Sequence, residues 1–129
     1  FRENAPVKPV RPDSIARSLA IGSPADGDFA VATARGSGGS IHAVPEDEVG
    51  ENMALLARIT GVFGETAAGV TLGALRAAVD AGEIDAEDRV VLLVTGDGLK
   101  TLGPVSFTYE PIPIAPDADA FLDGVLAPG

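Results

Sequence analysis

The run Val90-Val91-Leu92-Leu93-Val94 carries no polar residue at alternate positions. A strand that is apolar on both faces belongs inside a parallel sheet covered by helices. The run follows a helical pattern through the short connection Glu83-Ile84-Asp85-Ala86-Glu87-Asp88. That is the helix-to-strand half of an α/β unit. The expected fold class is therefore α/β, with a mostly parallel sheet and helices on its faces.

The preceding segments read as helices separated by glycine. Val49, Met53, Leu56 and Ile59 recur at helical spacing behind Pro45-Glu46-Asp47-Glu48. Proline and carboxylates both suit a first turn, where the free N–H groups and the positive end of the helix dipole lie. Gly61 is the expected C-cap. Thr66 is expected to cap the next helix, with Ala68, Leu72, Leu75 and Val79 on its buried face and Gly82 at its end. Further upstream, Asp13-Ser14 predicts a helix start, with Ile15, Ala16 and Leu19 on one face and Gly22 as the stop. Phe29 to Arg35 reads as a short helix, and Ser40-Ile41-His42-Ala43-Val44 as a short strand. Residues 1–12 hold Pro6, Pro9 and Pro12 and form a proline-rich extended lead-in, because proline fixes φ and biases its predecessor toward extended backbone. Residues 13–103 then form one α/β unit. Residues 104–129 form a tail with a β-prone Ser106-Phe107-Thr108-Tyr109 and a short helix from Asp117 to Leu126.

Composition removes several function classes. The 129 residues include 9 Lys+Arg against 19 Asp+Glu, a formal charge of −10. Nucleic-acid backbones and anionic membrane surfaces are bound through Lys and Arg, so neither is an expected partner. There is no cysteine, hence no disulfide, thiolate metal site or cysteine nucleophile. His42 is the only histidine, and the expected role is a partly buried structural one. No metal site is expected. No apolar run reaches the ~18 residues of a membrane span, and residues 1–6 lack the layout of a signal peptide. A cytoplasmic location is expected.

Ligands of open α/β sheets bind beyond the carboxyl ends of the strands. After residues 90–94 that place is Thr95-Gly96-Asp97-Gly98. Thr95 offers a hydroxyl, and Gly96 and Gly98 permit positive φ or close backbone approach. A plain tight turn would use the same residues. Glu65-Thr66, before a helix, is a second candidate, since helix N-termini favour anionic groups; a capping pair would look alike. The turn Gly22-Ser23-Pro24-Ala25-Asp26-Gly27 is a third, and a simple helix connection explains it equally. Lys8 and Lys100 are the only lysines, and neither sits in the desolvated context that lowers an amine pKa for catalysis.

Four segments in this order resemble the C-terminal part of the threonine synthases, pyridoxal-phosphate enzymes of the tryptophan-synthase-β fold group. They are the stretch from Arg11 to Gly27 that contains Ser14-Ile15-Ala16-Arg17-Ser18-Leu19-Ala20-Ile21-Gly22, then Gly38-Gly39-Ser40-Ile41, then Leu55 to Ala67 with Gly61-Val62-Phe63-Gly64-Glu65-Thr66, and Val90 to Lys100 with Thr95-Gly96-Asp97-Gly98-Leu99-Lys100. The likeness covers residues 11–103. It implies a three-layer α/β/α fold whose N-terminal half is absent here. It also implies that Thr95 faces the pyridine nitrogen of the cofactor, with Gly96 beside it. Glu65 would lie near the cofactor edge, and Ile21-Gly22 would line the far side of the site. Ser23 departs from the asparagine common at its place.

The Phe-Lys-Asp context of the family's Schiff-base lysine and the cofactor-phosphate loop have no counterpart in this sequence. Gly36-Ser37-Gly38-Gly39 belongs to a different segment. The resemblance therefore implies a fragment beginning mid-domain, and Phe1 in place of Met agrees with a cut. The parent would convert O-phospho-L-homoserine and water to L-threonine and phosphate. The fragment would be inactive alone and would self-associate or pair with the N-terminal half. A threonine or serine dehydratase parent is an alternative, although those relatives usually carry a Ser-Gly-Gly-Asn-type motif at residues 95–98. A non-catalytic binding or assembly module is another.

Overall fold

The computed structural model describes residues 5–105 and 113–122. Among these described residues four α-helices follow in order: α1 (Gly27–Gly36), α2 (Glu46–Thr60), α3 (Thr66–Asp80) and α4 (Ala118–Phe121), with one 3-10 turn at Gly98–Lys100 between α3 and α4.

The core lies where α2 meets α3. Val49, Met53 and Leu56 of α2 and Ala68 and Leu72 of α3 are buried, as their spacing requires. Leu75 packs at the edge of this cluster, while Ile59 and Val79 at the far ends of the two stripes are exposed. Two glycines set the approach of the helices. A Cβ on Gly69 would lie 2.5 Å from the Val49 carbonyl oxygen, and one on Gly73 would lie 2.8 Å from Asn52 Nδ2. Those separations are below normal contact, so only glycine allows this packing. Gly61 closes α2 with φ of 75° and an N–H donated to the Ala57 carbonyl at 2.9 Å. After α3, Gly82 takes φ of 70°, and the Gly82 and Glu83 N–H groups reach the Val79 and Ala78 carbonyls, a Schellman-type closure.

Asn52 is fully buried on the core side of α2, and its Oδ1 accepts a 2.7 Å bond from Arg76 Nη1 of α3. The long arginine side chain reaches inward from an exposed position. It compensates the acceptor half of an amide that would be costly to bury alone.

The structure corrects three local expectations. The first is the helix predicted to start at Asp13-Ser14. Residues 14–21 form successive tight turns instead, with Arg17 N–H on Ile15 O, Leu19 N–H on Ala16 O and Ile21 N–H on Leu19 O. Ser14 Oγ does accept a backbone bond, from Ala16, but no helix follows. The Ile15 N–H is drawn to Glu46 Oε2 at 2.9 Å, 31 residues away. Ile15 and Leu19 remain exposed and only the small Ala16 of the predicted face is buried, so little apolar burial rewards a helix there.

The second concerns Thr66, which opens α3 as its first residue, while Glu65 takes the N-cap position without a side-chain capping bond. The third is the pair of predicted strands. Residues 40–44 and 90–94 are in no ladder, and the one β-bridge among the described residues is the antiparallel pair Gly64 and Asp97. The described residues therefore build helices but not the expected parallel sheet. Residues 90–94 are two-sided all the same. Leu92 and Val94 pack on the Leu56, Ala68 and Leu72 cluster, whereas Val91 and Leu93 point away at 83% and 73% exposure. The short helix expected from Asp117 is present over Ala118–Phe121. Residues 106–109 and 123–126, with their predicted strand and helix end, lie outside the described residues.

Candidate cofactor site

Two of the three sequence candidates meet in space. The 95–98 turn lies against the loop before α3. The Gly98 N–H donates to the Phe63 carbonyl at 2.8 Å, and the Glu65 N–H donates to the Gly96 carbonyl at 3.2 Å. These bonds flank the Gly64–Asp97 bridge. One residue on, the Thr66 N–H donates to Thr101 Oγ1 at 3.2 Å, so both sides of the turn are pinned to the start of α3. Asp97 holds the turn internally, since its Oδ1 accepts the Leu99 N–H at 2.8 Å.

Gly96 is the hinge of the arrangement. Its φ is +75°, a region that L side chains rarely adopt, and a Cβ there would collide with the Glu65 carboxylate. Glu65 therefore lies directly over the Gly96 backbone. Thr95 is exposed, and its hydroxyl has no partner among the described residues. Thr66 Oγ1 is buried without a hydrogen-bond partner. The junction thus presents the exposed Thr95 hydroxyl and the Glu65 carboxylate, which lies beside the Gly96 backbone.

Ile21 and Gly22 are held by backbone bonds within the first part of the chain. The Gly22 carbonyl accepts the Val10 N–H at 2.8 Å, and a Cβ on Gly22 would strike the Val10 carbonyl. Among the described residues no hydrogen bond ties Ile21 or Gly22 to Thr95, Gly96 or Glu65. His42 is half-buried, and its Nε2 lies 2.8 Å from Glu83 Oε2 and 2.9 Å from Ser40 Oγ. The histidine thereby ties the 40–44 segment to the end of α3. Ser40 Oγ also donates to the same Glu83 oxygen. No group of three or more metal-ligating side chains occurs among the described residues. No helix among them is long and apolar enough to cross a membrane.

Sequence reasoning missed Thr101, whose hydroxyl seats the start of α3, and the Asn52–Arg76 pair. Thr101 gave no local signal, since its partner is 35 residues away. Asn52 did give one, being a polar residue one turn before Leu56 on an apolar stripe.

Residues 1–96 match the sequence profile of the family described as pyridoxal-phosphate dependent enzyme. The chain belongs to that family. The matched range takes in Glu65, Thr95 and Gly96, the three residues that the fold brings together. Among curated relatives, threonine synthase of Halalkalibacterium halodurans is 36% identical over 116 residues, covering 88% of this chain and 33% of the relative. Threonine synthase of Methanocaldococcus jannaschii is 36% identical over 107 residues, 82% of this chain and 26% of the relative. Threonine synthase of Mycobacterium tuberculosis (strain H37Rv) is 36% identical over 110 residues, 83% of this chain and 31% of the relative. The chain spans about a third or less of the length of these relatives. Pyridoxal phosphate is the cofactor of the family, and the junction fits one side of it. A free hydroxyl suits a ring nitrogen, and the lack of a side chain on Gly96 leaves room for the Glu65 carboxylate beside it.

Proposed function

We infer that this chain supplies the C-terminal part of the catalytic fold of a threonine synthase, the enzyme that forms L-threonine and phosphate from O-phospho-L-homoserine and water. The observation that carries the reading is the junction of the Thr95-Gly96-Asp97-Gly98 turn with Glu65, inside a sequence 36% identical to several threonine synthases.

Pyridoxal phosphate supplies an electron sink for chemistry at an amino-acid carbon. Thr95 would hold the ring nitrogen by a hydroxyl hydrogen bond. A neutral partner would leave that nitrogen largely unprotonated, where a carboxylate would stabilise its protonated form, so Thr95 would moderate the sink. Gly96 would leave room for the Glu65 carboxylate beside the ring. Glu65 would set the charge at the ring edge, held in place by the Glu65 N–H bond to Gly96 and the packing of its own carboxylate over that glycine. Ile21 and Gly22 would line the far side once the remaining part of the fold is present.

The chain alone would not turn over, because it offers no counterpart of the Schiff-base lysine and covalent catalysis by an amine needs one. Residues 1–12 would be the lead-in, 13–103 the catalytic part and 104–129 the tail. Residues 90–94 would be a strand of the family's parallel sheet, with Val91 and Leu93 covered by segments of the remaining fold. Support comes from those two exposed side chains beside a backbone that pairs with no strand among the described residues.

The test mixes the 129-residue chain with pyridoxal phosphate and O-phospho-L-homoserine. No phosphate release is expected from the chain alone. Release is expected when a polypeptide matching the other two-thirds of a relative is added. Threonine formation by the chain alone, or 2-oxobutanoate rather than phosphate from the pair, would overturn the reading.

A further inference from the structure

A cleft of about 710 Å3 opens between the turn at residues 13–17 and the segment at residues 100–104, and its walls include none of Thr95, Gly96 or Glu65. Its charged walls are Asp13, Arg17, Glu46 and Lys100. Glu46 is already engaged. It accepts the Ile15 N–H at 2.9 Å, and that bond, followed by one from Ser14, holds its carboxyl below the usual carboxylate range. The side chains of Asp13, Arg17 and Lys100 have no hydrogen bond or ion pair among the described residues. Two free cations and one free carboxylate thus border a single cleft.

Opposed free charges around one cavity do not select a simple anion or a simple cation. They fit a small molecule that carries both. The planar arginine fork offers parallel donors to a carboxylate, the lysine ammonium adds a point charge, and a carboxylate receives an ammonium group. Ile15 and Leu102 give the cleft an apolar side. The volume lies inside the roughly 300–1,000 Å3 of small-molecule pockets.

We propose that this cleft binds a free aliphatic α-amino acid, its carboxylate toward Arg17 and Lys100 and its ammonium toward Asp13. The site is distinct from the cofactor junction and does not depend on it. Thr101 connects the two, since it lines the cleft and also accepts the Thr66 N–H.

The test is a titration of the 129-residue chain, without cofactor, followed by amide NMR. L-leucine is expected to give saturable shifts at residues 14–17 and 100–103. N-acetyl-L-leucine lacks the ammonium and isopentylamine lacks the carboxylate, so each should bind about tenfold more weakly. Arg17→Ala should weaken leucine binding about tenfold, as should Asp13→Ala. Both residues are exposed, and unchanged circular dichroism will show that the variants fold. Lys8→Ala, at an exposed residue outside the cleft, should change nothing. Absence of saturable shifts, equal binding of either single-charge analogue, or an equal loss in Lys8→Ala would overturn the proposal.

Discussion

The α2–α3 pair and residues 90–94 are both rich in aliphatic side chains, yet the fold treats them oppositely. In the helix pair every residue of the central stripe is covered, down to Met53 at 0% exposure. In residues 90–94 only Leu92 and Val94 find the core, while Val91 and Leu93 face outward. The difference lies in where the partner comes from. The partner of α2 is α3, a five-residue connection away. A partner for the outer face of residues 90–94 does not occur among the described residues. Apolar pattern therefore states what a segment is built to bury, and only the rest of the fold decides whether it does so.

The comparison breaks most sharply at the core. Met53→Ala should cost about 2–5 kcal/mol, because it removes buried contacts and leaves a cavity; urea unfolding would measure it. A loss under about 1 kcal/mol would mean that the helix pair is no better packed than residues 90–94. Next is the junction that joins the two regions. Gly96→Ala should cost about 1–3 kcal/mol through its positive φ and its clash with Glu65. Adding Glu65→Ala should return the clash part but not the φ part, so a double-mutant cycle reads the contact between the two residues. Val91→Ser should alter unfolding free energy by no more than about 0.5 kcal/mol, as for an exposed position, while reducing self-association in sedimentation. A large stability loss at Val91 would show that this face is covered after all.

The smallest effect concerns Glu46. Its folded-state pKa lies below the ordinary value, chiefly through the Ile15 N–H bond and then Ser14. Its contribution is thus present above the unfolded pKa and fades as pH falls through the lower folded value. Glu46→Gln should lower stability slightly at neutral and alkaline pH and leave it unchanged at low pH, so that the acid limb flattens, as thermal melts across pH would show.

The helices α2 and α3 were legible because their stripes, flanking carboxylates and terminal Gly61 all pointed to the same boundaries, and their burial is local. The segment at residues 13–22 misled because a capping serine and apolar spacing are only permissive. The Ile15 N–H went to a carboxylate 31 residues distant, and no sequence pattern announces that bond. Within the site, Glu65 and the 95–98 turn were each legible as weak candidates. What spacing alone did not supply was their meeting, which depends on the Gly64–Asp97 bridge. The α/β pattern at residues 90–94 was legible as a requirement for covering elements, a requirement that the described residues meet on one face only.

The short link between α2 and α3 also has a kinetic meaning. Two 15-residue helices joined across residues 61–65 make their contacts at small sequence separation, and local contacts form quickly because little loop entropy is lost. The turn at residues 95–101 must close a far longer stretch of chain before it meets Phe63, Glu65 and Thr66. Helix pairing then comes first and docking of residues 92–101 second, so the helix pair would form before Glu65 and Gly96 ever touch.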